Sequence, residues 1–222
     1  MTPALHAGGQ GFESLRVHSR FMTSIAVLDY GLGNLRSVFR GLSAAGAVPV
    51  ITNNPEEIAA ADGILLPGVG AFAEGMEKLS PLIPLIREEA KKKPLMGICL
   101  GMQMLLEESE EHGIHKGLSF IPGRIRMFER REGFKVPQMG WNTISPVGNH
   151  PLFEGIADGT YVYFVHSYYA DTTPEATAAT TEYGISYASA VASGNVMGTQ
   201  FHPEKSGDAG IRILGNFVSL CE

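Results

Sequence analysis

The chain has 222 residues, 44% of them hydrophobic and 18% charged, which suffices to bury one large core and excludes a disordered protein. A net charge of −6 argues against a nucleic-acid or anionic-membrane surface as the main partner. Two cysteines, Cys99 and Cys221, cannot build a disulfide scaffold and point to a reducing, cytoplasmic setting, and no run approaches the ~18 apolar residues of a membrane span.

Residues 1–21 show neither helical nor strand period and lack the apolar stretch of a signal peptide. They read as a disordered extension, with Met22 the candidate true start. Residues 11–15 also resemble what the T-arm of a transfer-RNA gene would encode if translated. From Met22 the pattern is regular, and residues 22–222 read as a single domain. An almost wholly apolar run at 24–28 predicts a strand buried on both faces. After Asp29-Tyr30-Gly31-Leu32-Gly33-Asn34, a helix places Leu35, Val38, Phe39, Leu42 and Ala45 on one stripe and stops at Gly46. A strand at 48–51, a short helix near 56–61 and a strand at 63–66 follow, the last running into Pro67-Gly68-Val69-Gly70. Helical stretches at 72–79 and 82–92 lead to a strand at 95–98, then Cys99, then a helix at 100–109. Alternating units of this size predict an α/β fold of flavodoxin-like, doubly wound type, its mostly parallel central sheet covered by helices on both faces. Strands at 161–165, 177–181, 186–192 and 196–201 predict a small antiparallel extension, and a helix at 208–220 closes the chain. There is no repeat, no long linker and no second core.

Gly97-Ile98-Cys99-Leu100-Gly101 has the G-x-nucleophile-x-G form of a strand–turn–helix elbow, where glycines leave room for a strained nucleophile. A helix N-terminus favours a thiolate, and the N–H of Leu100 would face an oxyanion formed beside Cys99. On these residues alone a buried cysteine at a strand end is an even alternative. His202-Pro203-Glu204 shifts the balance. In extended backbone, residues two apart share a side, so His202 and Glu204 can turn to one site, the carboxylate orienting the imidazole. Cysteine plus oriented histidine reads as Cys–His–Glu nucleophilic catalysis. The rival of metal ligation by His and Glu lacks a third ligand, and His112 and His115 make a poor donor pair. No metal or other cofactor is expected. Gly68, Val69 and Gly70 end a neighbouring parallel strand and suit a second oxyanion donor, although an ordinary strand–helix turn reads the same way.

With these segments in view, the sequence resembles the class I (triad) glutamine amidotransferases over essentially all of 22–222. Within that family it is most similar to the glutaminase subunits of imidazole glycerol phosphate synthases of histidine biosynthesis. The segments that carry the narrower resemblance are Pro67-Gly68-Val69-Gly70, Gly140-Trp141-Asn142 and Glu204-Lys205-Ser206. The resemblance implies hydrolysis of L-glutamine to glutamate and ammonia by Cys99, His202 and Glu204. It implies oxyanion contacts from Leu100 and from Gly68, Val69 and Gly70. Gly70, Gln103, Glu111, Ser167 and Tyr168 would hold the glutamine; read bare, Glu111 is a solvated helix-end acid. The implied partner is a (β/α)₈-barrel cyclase subunit that receives the ammonia in a heterodimer. Asn34, Trp141, Tyr163 and Lys205 would meet it, and Trp141 read bare is as easily a core tryptophan. His166 reads as structural, and Cys221 as bland. The competing readings are a subunit for anthranilate, aminodeoxychorismate or guanylate synthesis, a free-standing cysteine γ-glutamyl hydrolase, and a non-catalytic binding module.

Overall fold

The computed structural model describes residues 22–130 and 132–222; the expectation for residues 1–21 lies outside the described residues. Continuous apolar runs form the strands β1 (Ser24–Leu28), β3 (Gly63–Leu66) and β4 (Leu95–Ile98), with the more exposed β2 (Val48–Thr52) beside them. Between these lie helices α1 (Leu35–Ala44), α2 (Pro55–Ala60), α3 (Phe72–Leu79) and α4 (Ile83–Glu89). The short helix α5 (Leu100–Met104) follows β4 directly. Next come β5 (Glu108–Ser109), β6 (His115–Lys116), β7 (Arg124–Met127) and β8 (Gln138–Pro146). Strands β9 (Thr160–His166), β10 (Tyr168–Asp171), β11 (Thr177–Glu182), β12 (Ser186–Ser193) and β13 (Val196–Thr199) precede the last helix, α6 (Gly207–Leu220).

Strands β2-β1-β3-β4-β13 run parallel in the order of doubly wound flavodoxin-like sheets. β12 lies antiparallel to β13 and carries the sheet on into β10, β7, β5 and β6. β11 joins this part to the antiparallel pair β8–β9. Alternation along the parallel strands sorts the core into two layers. Ala26, Leu28, Ile64 and Leu66 pack with Ile58 of α2, Phe72 of α3 and Ile86 of α4. Ile25, Val27 and Leu65 pack on the other face with Val38 of α1 and Phe217 of α6. These are the two faces of one sheet.

Several expected boundaries move. The helix expected at 100–109 stops at Met104, because Glu108 and Ser109 pair as β5 with β6 and β7. The helix expected at 82–92 begins only at Ile83, after a 3₁₀ turn at Ser80–Leu82, and ends at Glu89. Phe39, expected on the buried stripe of α1, is exposed. The antiparallel part also contains β5, β6, β7, β8 and β10, which no expectation named.

Candidate active site

Three neighbouring parallel strands end at one place. β4 pairs with β3 on one side and β13 on the other, with Gly97 level with Leu66 and Ile98 level with Thr199. The chain therefore delivers residues 67–70, Cys99 and residues 200–204 to the same carboxyl end, where ligands bind in open α/β sheets. Pairing accounts for the convergence, because none of these segments is near another in sequence.

Cys99 is the N-cap of α5 with φ 55° and ψ −111°, a left-handed φ that non-glycine residues adopt only under strain of ~1–3 kcal/mol. Its N–H donates to Thr199 O at 2.8 Å, which pins the elbow to β13. The turn closes only because its neighbours are small. A Cβ on Gly101 would lie 1.9 Å from Leu66 O, inside the backbone of β3. Leu100 begins α5, so its N–H belongs to the first turn, where helical donors have no carbonyl within the helix.

His202 Nδ1 lies 2.8 Å from Glu204 Oε1, and both side chains are almost wholly buried. With Nδ1–H donated to the carboxylate, Nε2 is the nitrogen left over; it is buried and has no hydrogen-bond partner among the described residues. Burial works against the charged imidazole, but attraction to Cys99 and Glu204 outweighs it and raises the pKa to about 9. The imidazolium is thus the resting form at neutral pH.

A cavity of about 410 Å³ lies over this elbow, lined by Cys99, His202, Gly70, Glu111, Gln103 and Tyr168 among others. That volume is in the range of small-molecule sites. Val69, Leu100 and Ser167 also line it, whereas Gly68 and Glu204 stand behind the lining. Glu111 is no solvated helix-end acid. It is half-buried in the turn after β5, and its carboxylate accepts the Phe72 N–H at 2.6 Å, at the start of α3 and two residues beyond Gly70. Gln103 is buried, and its Nε2 donates to Gln200 Oε1 at 3.0 Å and to Tyr168 O at 3.3 Å.

The structure adds three residues to which sequence reasoning gave no individual role. Tyr30 is buried under the loop and donates its hydroxyl to Pro67 O at 2.7 Å. Burial, then the nearby Cys99 sulfur, push its pKa far up, so it stays a donor. Gln200 is fully buried, with Nε2 3.6 Å from Cys99 Sγ. Ser206 accepts Tyr163 N–H at 3.0 Å and donates to His202 O at 2.7 Å. Of these, Tyr30 stood inside a glycine-rich segment and Gln200 inside the strand expected at 196–201, which ends instead at Thr199. His166 lines the cavity from the other side, with Nδ1 2.8 Å from Tyr168 O and Nε2 3.2 Å from Tyr187 Oη. Burial holds its pKa down at about 4, so it is neutral.

Trp141 is 57% exposed, so it is not a core tryptophan. It meets Tyr163 edge-on at 6.0 Å across β8–β9, and Lys205 Nζ lies 5.8 Å from the Tyr163 ring. Met139 and Tyr161 are exposed on the same strand pair. The Asn34 side chain accepts Ser37 N–H at 3.4 Å and caps α1. Cys221 donates to Phe217 O at 3.3 Å, and burial pushes its thiol up to about 12. Among the described residues no three His, Cys, Asp or Glu side chains gather to hold a metal ion, and no helix is long and apolar enough to cross a membrane.

Residues 26–220 match the family Glutamine amidotransferase class-I, and the chain belongs to that family. Among curated relatives, the chain is 59% identical to "Imidazole glycerol phosphate synthase subunit HisH" of Methanosarcina mazei, over 90% of this chain and 100% of that one. It is 47% identical to the protein of the same name from Bacillus cereus, over 89% and 95%. The crystal structure of a GMP synthase-like protein from Thermoplasma acidophilum superposes with a TM-score of 0.68 at 22% identity, over 90% of this chain and 94% of that one. That likeness speaks for the fold alone.

Proposed function

We propose that this chain is the glutaminase subunit of an imidazole glycerol phosphate synthase, hydrolysing L-glutamine and passing ammonia to a cyclase subunit in histidine biosynthesis. The observation that carries the chemistry is the meeting, in one 410 Å³ cavity, of a strained Cys99 and a His202 already paired with Glu204. The names of relatives at 47–59% identity support the particular synthase over subunits serving anthranilate, aminodeoxychorismate or guanylate synthesis.

The Cys99 thiolate attacks the side-chain carboxamide carbon, and the carbonyl electron pair moves onto oxygen. That oxyanion meets the N–H of Leu100 and one from the loop of Gly68, Val69 and Gly70. The His202 imidazolium gives its proton to the leaving nitrogen as the C–N bond breaks, leaving a γ-glutamyl thioester and ammonia. His202, now neutral, takes a proton from water as the new C–O bond forms. The C–S bond breaks, the thiolate returns and glutamate leaves. Glu204 keeps Nδ1 protonated throughout. Gly70, Gln103, Glu111, Ser167 and Tyr168 surround the amino-acid end of the substrate. The Tyr168 carbonyl already has two donors, Gln103 and His166.

Free ammonia would mostly protonate in water, so a partner has to take it directly. The exposed apolar face of Met139, Trp141 and Tyr161, with Tyr163 and Lys205 beside it, suits a protein partner, and we assign it with Asn34 to the barrel-shaped cyclase. Tyr163 O accepts the His202 N–H at 2.9 Å, so a partner seated on this face touches the residue that holds the catalytic histidine. A cytoplasmic location goes with this reading.

The test is ammonia release by the chain alone, with the cyclase subunit, and with the cyclase subunit plus its nucleotide ligand. Negligible release alone and strong release with both is expected. Vigorous turnover by the isolated chain would favour a free-standing γ-glutamyl hydrolase, and stable pairing with a chorismate enzyme would overturn the choice of synthase.

A further inference from the structure

Gln200 follows β13 immediately, is fully buried and does not line the cavity, yet its amide nitrogen lies 3.6 Å from Cys99 Sγ. The orientation of a side-chain amide follows from its hydrogen-bond network, and here the network leaves no choice. The Tyr168 backbone carbonyl can only accept, so Gln103 must turn its NH₂ toward it. The same NH₂ meets Gln200 at 3.0 Å, so Gln200 must turn its oxygen to Gln103. Only the NH₂ of Gln200 is then left to face the sulfur.

A thiol sulfur is a weak acceptor, whereas a thiolate accepts a charge-assisted hydrogen bond. We propose that Gln200 is a positioning residue for Cys99, donating an N–H to Sγ and held in that orientation by Gln103 and the Tyr168 carbonyl. The proposal rests on the reading of Cys99 as nucleophile and names a residue on which its state depends. Before attack, the bond fixes the sulfur at the elbow and favours the thiolate. In the second half of the reaction, as the water oxygen bonds to the acyl carbon and the C–S electron pair returns to sulfur, the same N–H receives the charge on the leaving thiolate. Gln103 thereby has both N–H groups engaged with protein acceptors, and only its carbonyl oxygen remains for substrate.

Gln200→Met keeps the length and removes the donor; Gln200→Glu keeps the shape and places an acceptor against the sulfur. Measured on the complex with the cyclase subunit and its nucleotide, Gln200→Met lowers kcat for ammonia release about tenfold, as expected for loss of one charged hydrogen bond, with KM for glutamine within about twofold. Gln200→Glu lowers kcat further. Alkylation of Cys99 by iodoacetamide slows only about threefold in Gln200→Met, because a less stabilised thiolate is a better nucleophile. Cys221, mapped in the same digest, is the reference for an intact fold and keeps its rate. Unchanged kcat and unchanged Cys99 alkylation in Gln200→Met would overturn the proposal. So would a loss of kcat that comes with faster Cys221 alkylation and unchanged Cys99 alkylation, which marks a purely structural role. Ammonia release that persists in Cys99→Ala would instead overturn the nucleophile assignment beneath it.

Discussion

The two walls of the cavity are built differently. One is the ends of parallel strands, which carry Cys99, the loop of residues 67–70 and His202. The other is the antiparallel part, which contributes residues 165–168, His166 among them. Each wall holds a histidine that touches the same cavity, and their protonation is opposite. His202 has a carboxylate at 2.8 Å and the sulfur nearby, and stays charged to about pH 9. His166 sits between the Tyr168 carbonyl and the Tyr187 hydroxyl with no acid beside it, and stays neutral down to about pH 4. The partner, not the residue type, decides whether a histidine in this cavity can deliver a proton. Under the proposed function, the parallel wall carries the chemistry, and the antiparallel wall shapes the site and offers its outer face to the partner.

The sharpest break of this division is Cys99→Ala, which lowers ammonia release in the activated complex by at least about 10⁴-fold while leaving the fold intact. On the same wall, Gly68→Ala puts a Cβ 2.7 Å from Gly101 N and 2.9 Å from Tyr30 Oη. The loop must shift, and one oxyanion donor is lost, so kcat falls ~10²–10³-fold. On the outer face of the antiparallel wall, Trp141→Ala weakens binding to the cyclase subunit about 30-fold by titration, as for a typical aromatic anchor. Tyr187→Phe removes the hydroxyl that donates to Gln138 Oε1 at 2.9 Å and meets His166 Nε2. It destabilises the chain by ~1–3 kcal/mol in urea unfolding, with kcat within about twofold.

The two histidines also impose opposite pH dependences on stability. The His202 pKa is raised on folding from 6.5 to about 9, so its stabilising share is complete below about pH 6.5 and is lost as pH rises toward 9. The His166 pKa is lowered from 6.5 to about 4, so the unfolded chain binds the extra proton and stability falls as pH drops from 6.5 toward 4. Imidazole proton resonances followed by NMR should separate the two titrations. A His202 that titrates near 6.5 would remove the charged resting form.

Much of the parallel half was legible because its strands are buried on both faces. β1, β3 and β4 are short unbroken apolar runs, and the structure begins and ends them where those runs do. β8 was hidden for the opposite reason. Met139 and Trp141 lie on its exposed face, which inverts the usual correspondence between apolar residues and burial. β7 has only Ile125 buried among charged neighbours, too little pattern to read. The helix after Cys99 read too long because its apolar stripe runs on through Leu105 and Leu106, which are buried by the turn into β5 instead. Cys99 could be singled out because its elbow has local backbone logic; His202 and Glu204 do meet, but across the start of a 3₁₀ helix at Pro203–Lys205 and not along the extended backbone the sequence led one to expect. Gln200 and Tyr30 could not be singled out, since their roles depend on partners 101 and 37 residues away.

The most direct test of the central claim, that the strand ends assemble one reactive sulfur in a glutamine site, is covalent labelling with a glutamine-like diazoketone in the presence of the cyclase subunit and its nucleotide. Peptide mapping should find one equivalent on Cys99 and none on Cys221, with free glutamine slowing the reaction. Label on Cys221, or no glutamine-protected label on either cysteine, would contradict the account.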